Sequence, residues 1–247
     1  RSAELKARIA LAGGESLENL FTTQLSRWPE VAQRYASLKD VKKKSVMVNG
    51  MNMDIYFNPA RAVSSFAKTD KESIAQRACF LCPQNRPQVQ KGIPIRLRHS
   101  YSIEVNPFPI FPRHFTVPDN LHTLQEMDRF RYEDMLSIAE HYPQYLVFYN
   151  GPESGASAPD HFHFQIGNKG FLPIERDFEK MDIEQYIPAA KVIRGNDLYK
   201  CADEFESFLK YSGQKINIFS WVTQGEFVTI VIPRTKHRPE LYFAPEP

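Results

Sequence analysis

Residues 161–166 read His-Phe-His-Phe-Gln-Ile, and this strict alternation of polar with aromatic or aliphatic side chains specifies a β-strand. Phe162, Phe164 and Ile166 go to one side, while His161, His163 and Gln165 share the other. A strand with one apolar face needs strands to pair with and a second layer to bury that face, so the chain has to build a sheet with something packed on it. The same period of two runs through 95–105, where Ile95, Leu97, His99, Tyr101, Ile103 and Val105 alternate with polar residues, and predicts one half-buried strand ended by Pro107, Pro109 and Pro112. A short return strand is expected at 114–117 and a buried one at 145–149. Val46-Met47-Val48 and Ile55-Tyr56-Phe57 flank Asn49-Gly50, a hairpin signal that follows the solvated tract 42–44. A second hairpin is expected from 216–221 and 227–232, joined through Gln224-Gly225.

Helical spacing is found elsewhere. Leu17, Leu20, Phe21, Leu25 and Trp28 follow Ser16, a cap residue, and Phe130, Met135, Ile138 and Ala139 precede Pro143. From 171 to 215 no pattern fixes the order of elements. The expectation is an α+β fold: an antiparallel sheet of about five strands with helices packed on it.

Composition limits the partners. With 42% hydrophobic and 24% charged residues and a formal net charge of +2, the 247-residue chain has an ordinary globular composition and no field to attract nucleic acid or a membrane surface. Anionic ligands then have to be held by local groups, with Arg61, Lys169 and Arg234 as candidate charges. No stretch reaches the roughly 20 apolar residues of a membrane span, and 1–4 does not open a secretory leader. The lack of an initiator Met and the stop at Pro247 read as a piece of a longer product. Three cysteines, Cys79, Cys82 and Cys201, do not make a disulfide framework, and a reducing cytoplasm is the expected setting.

The chemistry concentrates around 150–165. Residues 150–159, Asn-Gly-Pro-Glu-Ser-Gly-Ala-Ser-Ala-Pro, supply small side chains, backbone N–H groups and two hydroxyls beside the histidines, as a phosphate-approaching loop requires. An imidazole attacks phosphorus when its far nitrogen is held by an acceptor, and a nearby amide donates to the phosphoryl oxygen as charge develops. His163 and Gln165 suit those two roles; a structural pair of strand histidines is the other reading. Asp160 either orients an imidazole or caps the turn. Cys79-Phe80-Leu81-Cys82 has the spacing of half a structural zinc site, of a redox pair, or of two unliganded core thiols.

The run from Ser154 to Ser157 followed by His161-Phe162-His163-Phe164-Gln165 resembles the signature of the histidine-triad superfamily, in its transferase and phosphorylase branch. That branch holds the GDP-L-galactose phosphorylases, the diadenosine tetraphosphate phosphorylases and the galactose-1-phosphate uridylyltransferases. Hydrolases of the superfamily carry a third His where this chain has Gln165, so the resemblance implies transfer. Asn106 to Pro118 is similar to the superfamily's strand-turn-strand, with Arg113 where Gly is usual, and Asn58-Pro59-Ala60-Arg61 resembles a segment of the phosphorylases. Val231-Ile232-Pro233-Arg234 resembles part of a second, degenerate half.

The resemblance implies an N-terminal helical segment (1–45), a histidine-triad-like catalytic half (46–170) and a degenerate, incomplete second half (171–247). It implies a nucleotidyltransferase or phosphorylase acting on a nucleoside diphosphate sugar or dinucleoside polyphosphate through a nucleotidyl-histidine. His163 is the nucleophile, with Gln165 and His161 beside it. Asn150, Ser154, Gly155, Ala156, Ser157 and Arg61 are the substrate-binding candidates, and a phosphate or sugar phosphate is the acceptor. A structural zinc is implied on Cys79, Cys82, His161 and a further histidine, His122 or its competitor His114, with no organic cofactor. A nucleotide hydrolase on the same site, and a zinc-stabilised nucleotide-binding module without catalysis, are the alternatives. Nucleobase, leaving group and oligomeric state are not specified.

Overall fold

The computed structural model describes residues 16–48, 50–59, 70–179, 182–183, 187 and 189–236. Ser16 holds extended backbone and its hydroxyl accepts the Asn19 amide at 3.1 Å, so helix α1 (Leu17–Arg27) starts at the expected cap. Helix α2 (Pro29–Ala36) opens on Pro29, whose missing N–H costs nothing in a first turn, and the two helices bury Leu17, Leu20, Phe21, Val31 and Tyr35. Strands β1 (Lys42–Val48) and β2 (Met51–Phe57) pair in register across residues 49–50, with Val48 opposite Met51. This hairpin is a separate two-stranded sheet, and the lysines at 42–44, although exposed, already belong to its first strand.

The main sheet has eight strands: β3 (Gly92–Arg96), β4 (Ser100–Val105), β5 (His114–Pro118), β6 (Tyr145–Asn150), β7 (His163–Asn168), β8 (Lys191–Gly195), β9 (Ile216–Thr223) and β10 (Glu226–Pro233). Their order is β3-β4-β5-β7-β6-β9-β10-β8, every neighbouring pair is antiparallel, and the sheet is open. The first five strands in that order come from the histidine-bearing part of the chain and the last three from the part after 170. The α+β expectation therefore holds, and the second part continues the same sheet. Gln224 and Gly225, with φ of 50° and 80°, make the tight turn between β9 and β10.

The expected single strand over 95–105 is a hairpin. Leu97 N–H donates to the His99 carbonyl (2.8 Å), and the Asp134 carboxylate accepts the amides of Arg98 (3.0 Å) and His99 (3.2 Å), so the reversal is capped from outside. Ile95 pairs with Tyr101 and Arg96 with Ser100. Odd-numbered residues thus face odd-numbered residues, and the period of two runs unbroken through the turn.

One face of the sheet is covered by helices. Phe164 and Ile166 of β7, Val147 and Tyr149 of β6, Phe115 and Val117 of β5 and Ile216 and Ile218 of β9 form a core with α1, α2, α4 (Arg129–His141) and α6 (Leu198–Ser212). The Asp128 carboxylate caps α4 by accepting the Arg131 amide, and Asp197 caps α6 by accepting those of Tyr199 and Lys200. Tyr132 of α4 stacks on Phe205 of α6 with centroids 4.1 Å apart, joining the two helices. The other face is apolar at one end, where Phe111, Phe148, Trp221 and Ile230 pack under a segment carrying Phe171, Phe178 and the short helix α5 (Ile174–Asp177). Helix α3 (Lys71–Gln76), capped by Asp70, leads to the cysteine turn. Among the described residues no helix is long and apolar enough to cross a membrane.

Candidate active site

Phe162, Phe164 and Ile166 are fully buried in the helix-covered core and anchor the segment that carries the histidines. The His163 amide donates to the Gln125 side-chain oxygen at 2.7 Å, and Gln125 Nε2 donates to the carbonyls of His163 (3.0 Å) and Asn150 (2.9 Å). Paired ladder positions between β6 and β7 stop at Phe148 and Gln165, so this wholly buried amide takes over the join between the two strands at the level of His163. His163 pairs with Pro118 of β5 on one side, and on its β6 side the backbone is held by this side chain instead of a paired strand residue.

His163 Nδ1 lies 2.9 Å from the His161 carbonyl. A carbonyl only accepts, so Nδ1 carries the ring proton and Nε2 keeps its lone pair. Nε2 has no hydrogen-bond partner among the described residues. Burial pushes the His163 pKa down to about 4, so the imidazole is neutral in neutral solution. These are the properties a phosphorus nucleophile needs.

Gln165 is oriented by similar logic. The Ile110 amide can only donate, and it points at His114 Nδ1 (3.2 Å), so the proton of neutral His114 is on Nε2. Nε2 lies 2.9 Å from Gln165, whose atom there has to be the acceptor Oε1. The NH2 end of the Gln165 amide has no partner among the described residues.

His161 sits just before β7, and its ring is drawn towards the cysteines. Its Nε2 donates to the Asp119 carbonyl (2.8 Å), which leaves the Nδ1 lone pair facing Cys79 Sγ (3.3 Å) and Cys82 Sγ (3.5 Å). His122 Nδ1 is 3.1 Å from Cys82 Sγ, and the donor atoms of Cys79, Cys82, His122 and His161 all lie within 4.8 Å of one another. A tetrahedral zinc with bonds of about 2.0–2.3 Å wants donors at about this separation, and two thiols with two imidazoles are a usual set for it. The group fits a metal. His114, the other candidate for the third position, is engaged by Ile110 and Gln165 instead.

The cysteine turn is held by a backbone bond and two side-chain donors that follow it. Cys82 N–H donates to the Cys79 carbonyl, Asn85 Nδ2 donates to the same oxygen (2.9 Å), and Arg86 Nε donates to the Leu81 carbonyl (2.8 Å). Burial pushes the Cys79 thiol up to about 11, a cost that a bound cation would reverse. Asp160 accepts from Arg77 at 2.8 Å and stands 4.0 Å from His122 Nε2, so it belongs to the surroundings of an imidazole. Cys201 lies apart, buried in α6.

The loop after β6 is tied at its start. Gly151 N–H donates to the Ile216 carbonyl (2.8 Å), and a Cβ at Gly151 would lie 2.2 Å from the Gln214 carbonyl oxygen, so only glycine fits. Of the substrate-binding candidates, Ser154 and Ala156 are buried, Gly155 is exposed at φ 102°, and Asn150 and Ser157 are half-buried. The Ser154 hydroxyl turns back to the Pro152 carbonyl (3.4 Å). Arg61 lies outside the described residues. Lys169 donates to the Val222 carbonyl and Arg234 to Asn217, so neither is placed as a bare anion-binding charge. Gln125, Asn217 and the role of His114 were not read from the sequence: a buried amide carries no local pattern, and these residues reach the site only through strand register, or for Gln125 through the loop before α4.

The family described as Domain of unknown function (DUF4922) matches residues 20–168, a stretch that contains the cysteine turn, His161, His163 and Gln165. The chain belongs to this family. A galactose-1-phosphate uridylyltransferase of Ligilactobacillus salivarius is 26% identical over 188 residues, covering 65% of this DUF4922 chain and 38% of that protein. Another, of Clostridium acetobutylicum, is 25% identical over 148 residues, covering 51% of this chain and 30% of that protein. The DUF4922 chain thus spans 30–38% of the length of these curated relatives. Their names agree with the resemblance to histidine-triad transferases. Among solved structures, yeast Ap4A phosphorylase in complex with Ap4A gives a TM-score of 0.49 at 17% identity, covering 84% of this chain and 80% of that one. An ADP-glucose phosphorylase from Arabidopsis thaliana with bound ADP-glucose gives 0.40 at 14% identity, covering 82% and 92%.

Proposed function

We propose that this DUF4922 chain is a nucleotidyltransferase or phosphorylase that works through a nucleotidyl group on His163. The observation that carries the reading is the fixed tautomer of His163: Nδ1–H donates to the His161 carbonyl and Nε2 keeps its lone pair in a neutral ring. In the proposed step Nε2 attacks the α-phosphorus of a nucleoside diphosphate sugar or dinucleoside polyphosphate. The bond from that phosphorus to the bridging oxygen breaks, and its electron pair leaves with the sugar phosphate of a nucleoside diphosphate sugar or with the nucleoside polyphosphate of a dinucleoside polyphosphate. The imidazole becomes cationic and holds its Nδ1 proton against the His161 carbonyl. An oxygen of a second phosphate-bearing molecule then attacks the phosphorus, and the P–N bond returns its pair to Nε2.

The NH2 of Gln165, turned outward by His114, donates to a phosphoryl oxygen as charge builds, and the backbone N–H groups of Gly155 to Ser157 hold neighbouring oxygens. We infer that Cys79, Cys82, His122 and His161 hold a structural zinc, which fixes the cysteine turn and the segment entering β7 when bound. Three free thiols suit a reducing, cytoplasmic setting. The names of the uridylyltransferase relatives support transfer over hydrolysis.

The test incubates the protein with α-phosphate-labelled UDP-glucose, a GDP-sugar and diadenosine tetraphosphate. Acid-labile, base-stable label is expected on the parent and none on His163→Ala. If no substrate labels the parent, or if the variant labels equally, covalent transfer by His163 is wrong. Products formed with and without added phosphate then separate phosphorolysis from hydrolysis.

A further inference from the structure

Asn217 lies on β9 opposite Asn150 of β6, outside the stretch matched by the family and in the part of the chain expected to be a degenerate half. It is 6% exposed, and its amide makes three polar contacts: Nδ2 donates to the Ser154 carbonyl (2.7 Å) and to Asn150 Oδ1 (2.6 Å), and Oδ1 accepts from Arg234 Nη1 (2.9 Å). Two of these contacts fix which end of the amide is which. The Ser154 carbonyl can only accept and the guanidinium can only donate, so the nitrogen of Asn217 has to face Ser154 and Asn150. The atom that Asn150 presents to it is then Oδ1, and the NH2 of Asn150 is turned the other way. That NH2 has no partner among the described residues. The Asn150 backbone shares Gln125 with His163, so the amide stands on the strand next to the nucleophile.

We propose that Asn217, held by Arg234, is a positioning residue of the active site, which turns the Asn150 amide so that its NH2 faces the phosphoryl group and ties down the 154–157 segment through the Ser154 carbonyl. The proposal rests on the nucleotidyl-transfer reading of His163. It gives the second part of the chain a task in the reaction: two amide donors beside His163 are set by partners outside the motif, Gln165 by His114 and Asn150 by Asn217. Arg234 acts on the site through the Asn217 amide.

The test compares the parent, Asn217→Asp, Asn150→Ala and the double variant. Asp keeps the shape and the Arg234 partner but offers no donor to Asn150 or Ser154. Single-turnover labelling of His163 is measured with whichever of α-phosphate-labelled UDP-glucose, a GDP-sugar or diadenosine tetraphosphate labels the parent. Asn217→Asp is expected to slow labelling about 100-fold, the usual effect of losing one oriented donor, and to add clearly less than that factor once Asn150 is already Ala, since only the Ser154 tie is then left to lose. Labelling by Asn217→Asp as fast as the parent, or independent losses that multiply in the double variant, would overturn the proposal.

A second measurement does not need activity. In protein labelled with 15N-asparagine, Asn217→Asp is expected to shift the Asn150 side-chain amide signals without ligand; unmoved signals would sink the proposal even if the parent labels normally. A parent that takes no label, with Asn150 signals that do move, would refute the reaction and leave the contact standing. Should Asn217→Asp not fold, Arg234→Met, at a half-buried position, takes its place with the same expected direction in both measurements.

Discussion

His114 sits 1% exposed between the Ile110 amide and Gln165, and both of its nitrogens are used. Replacing it by Ala leaves the Ile110 N–H facing a cavity, which costs about 1–3 kcal/mol when a buried donor goes unpaired. It also frees Gln165 to rotate. His114→Ala is therefore expected to lower the urea midpoint and to slow His163 labelling about as much as Gln165→Ala, about 100-fold or more. Because His114 acts through Gln165, adding His114→Ala to Gln165→Ala should leave labelling unchanged while the stability loss persists. A further drop in labelling would mean that His114 has its own contact with the substrate. At this scale the sequence is informative where chemistry and alternation coincide. His163 and Gln165 are legible because Phe162 and Phe164 show which way the strand faces. His122 is legible only by resemblance, and its selection over His114 needed the distances to Cys82 and Gln165. Asn217 has no signal of its own, since one asparagine in an apolar strand looks the same whether it holds a loop or faces solvent.

Strand β7 works as a mount because its buried side chains cannot shift without disturbing the core. Phe164 is fully buried, with Phe162 at 4.9 Å and Tyr101 at 5.5 Å between ring centroids. Phe164→Ala is expected to cost about 3–5 kcal/mol, measured by denaturant unfolding. A cost below about 1 kcal/mol would mean that the site collapses around the gap. The cysteine turn is the other mount. Its two thiols and two imidazoles are a group that could hold a metal ion. Chelation is expected to lower the thermal midpoint of the parent and to leave Cys79→Ser, Cys82→Ser doubly substituted protein unaffected, with metal content read by elemental analysis. Elements were legible in proportion to their local pattern. The β9–β10 hairpin shows in Gln224-Gly225, and α4 in its spacing before Pro143. The β3–β4 reversal was hidden because odd residues pair with odd, and its cap is supplied by Asp134 from a distant helix. Helix α6 carries a capping Asp197, a stop at Gly213 and buried Cys201, Ala202 and Phe205, yet it lay in a region where neighbouring patterns gave no frame.

Continuity of the sheet governs the whole molecule. Residues 147–150 of β6 pair with 217–220 of β9, so the strand beside the histidine strand has its other edge covered by the second part of the chain. Tyr132 of α4 stacks on Phe205 of α6 and its hydroxyl donates to Thr229 of β10 (2.8 Å), carrying the same join through the helix layer. Removing everything after 168 would expose the β6 edge and strip α4 of its packing on α6, β9 and β10, with rows of unpaired N–H and C=O groups opened to other chains. The sequence suggests two halves because its motif ends near 170; it does not show that they share a sheet, since that depends on which edges meet. We therefore propose that the parts before and after 170 are not independently stable. Urea unfolding should give one transition, with coincident curves for Trp28, near α1, and for Trp221, on β9, each observed in a variant lacking the other tryptophan. The 16–168 fragment should be unfolded or aggregated under conditions in which the full chain is native. Separated transitions for the two tryptophans, or a soluble fragment with a cooperative melt, would show that the part before 170 stands alone and that the later strands are an addition to it.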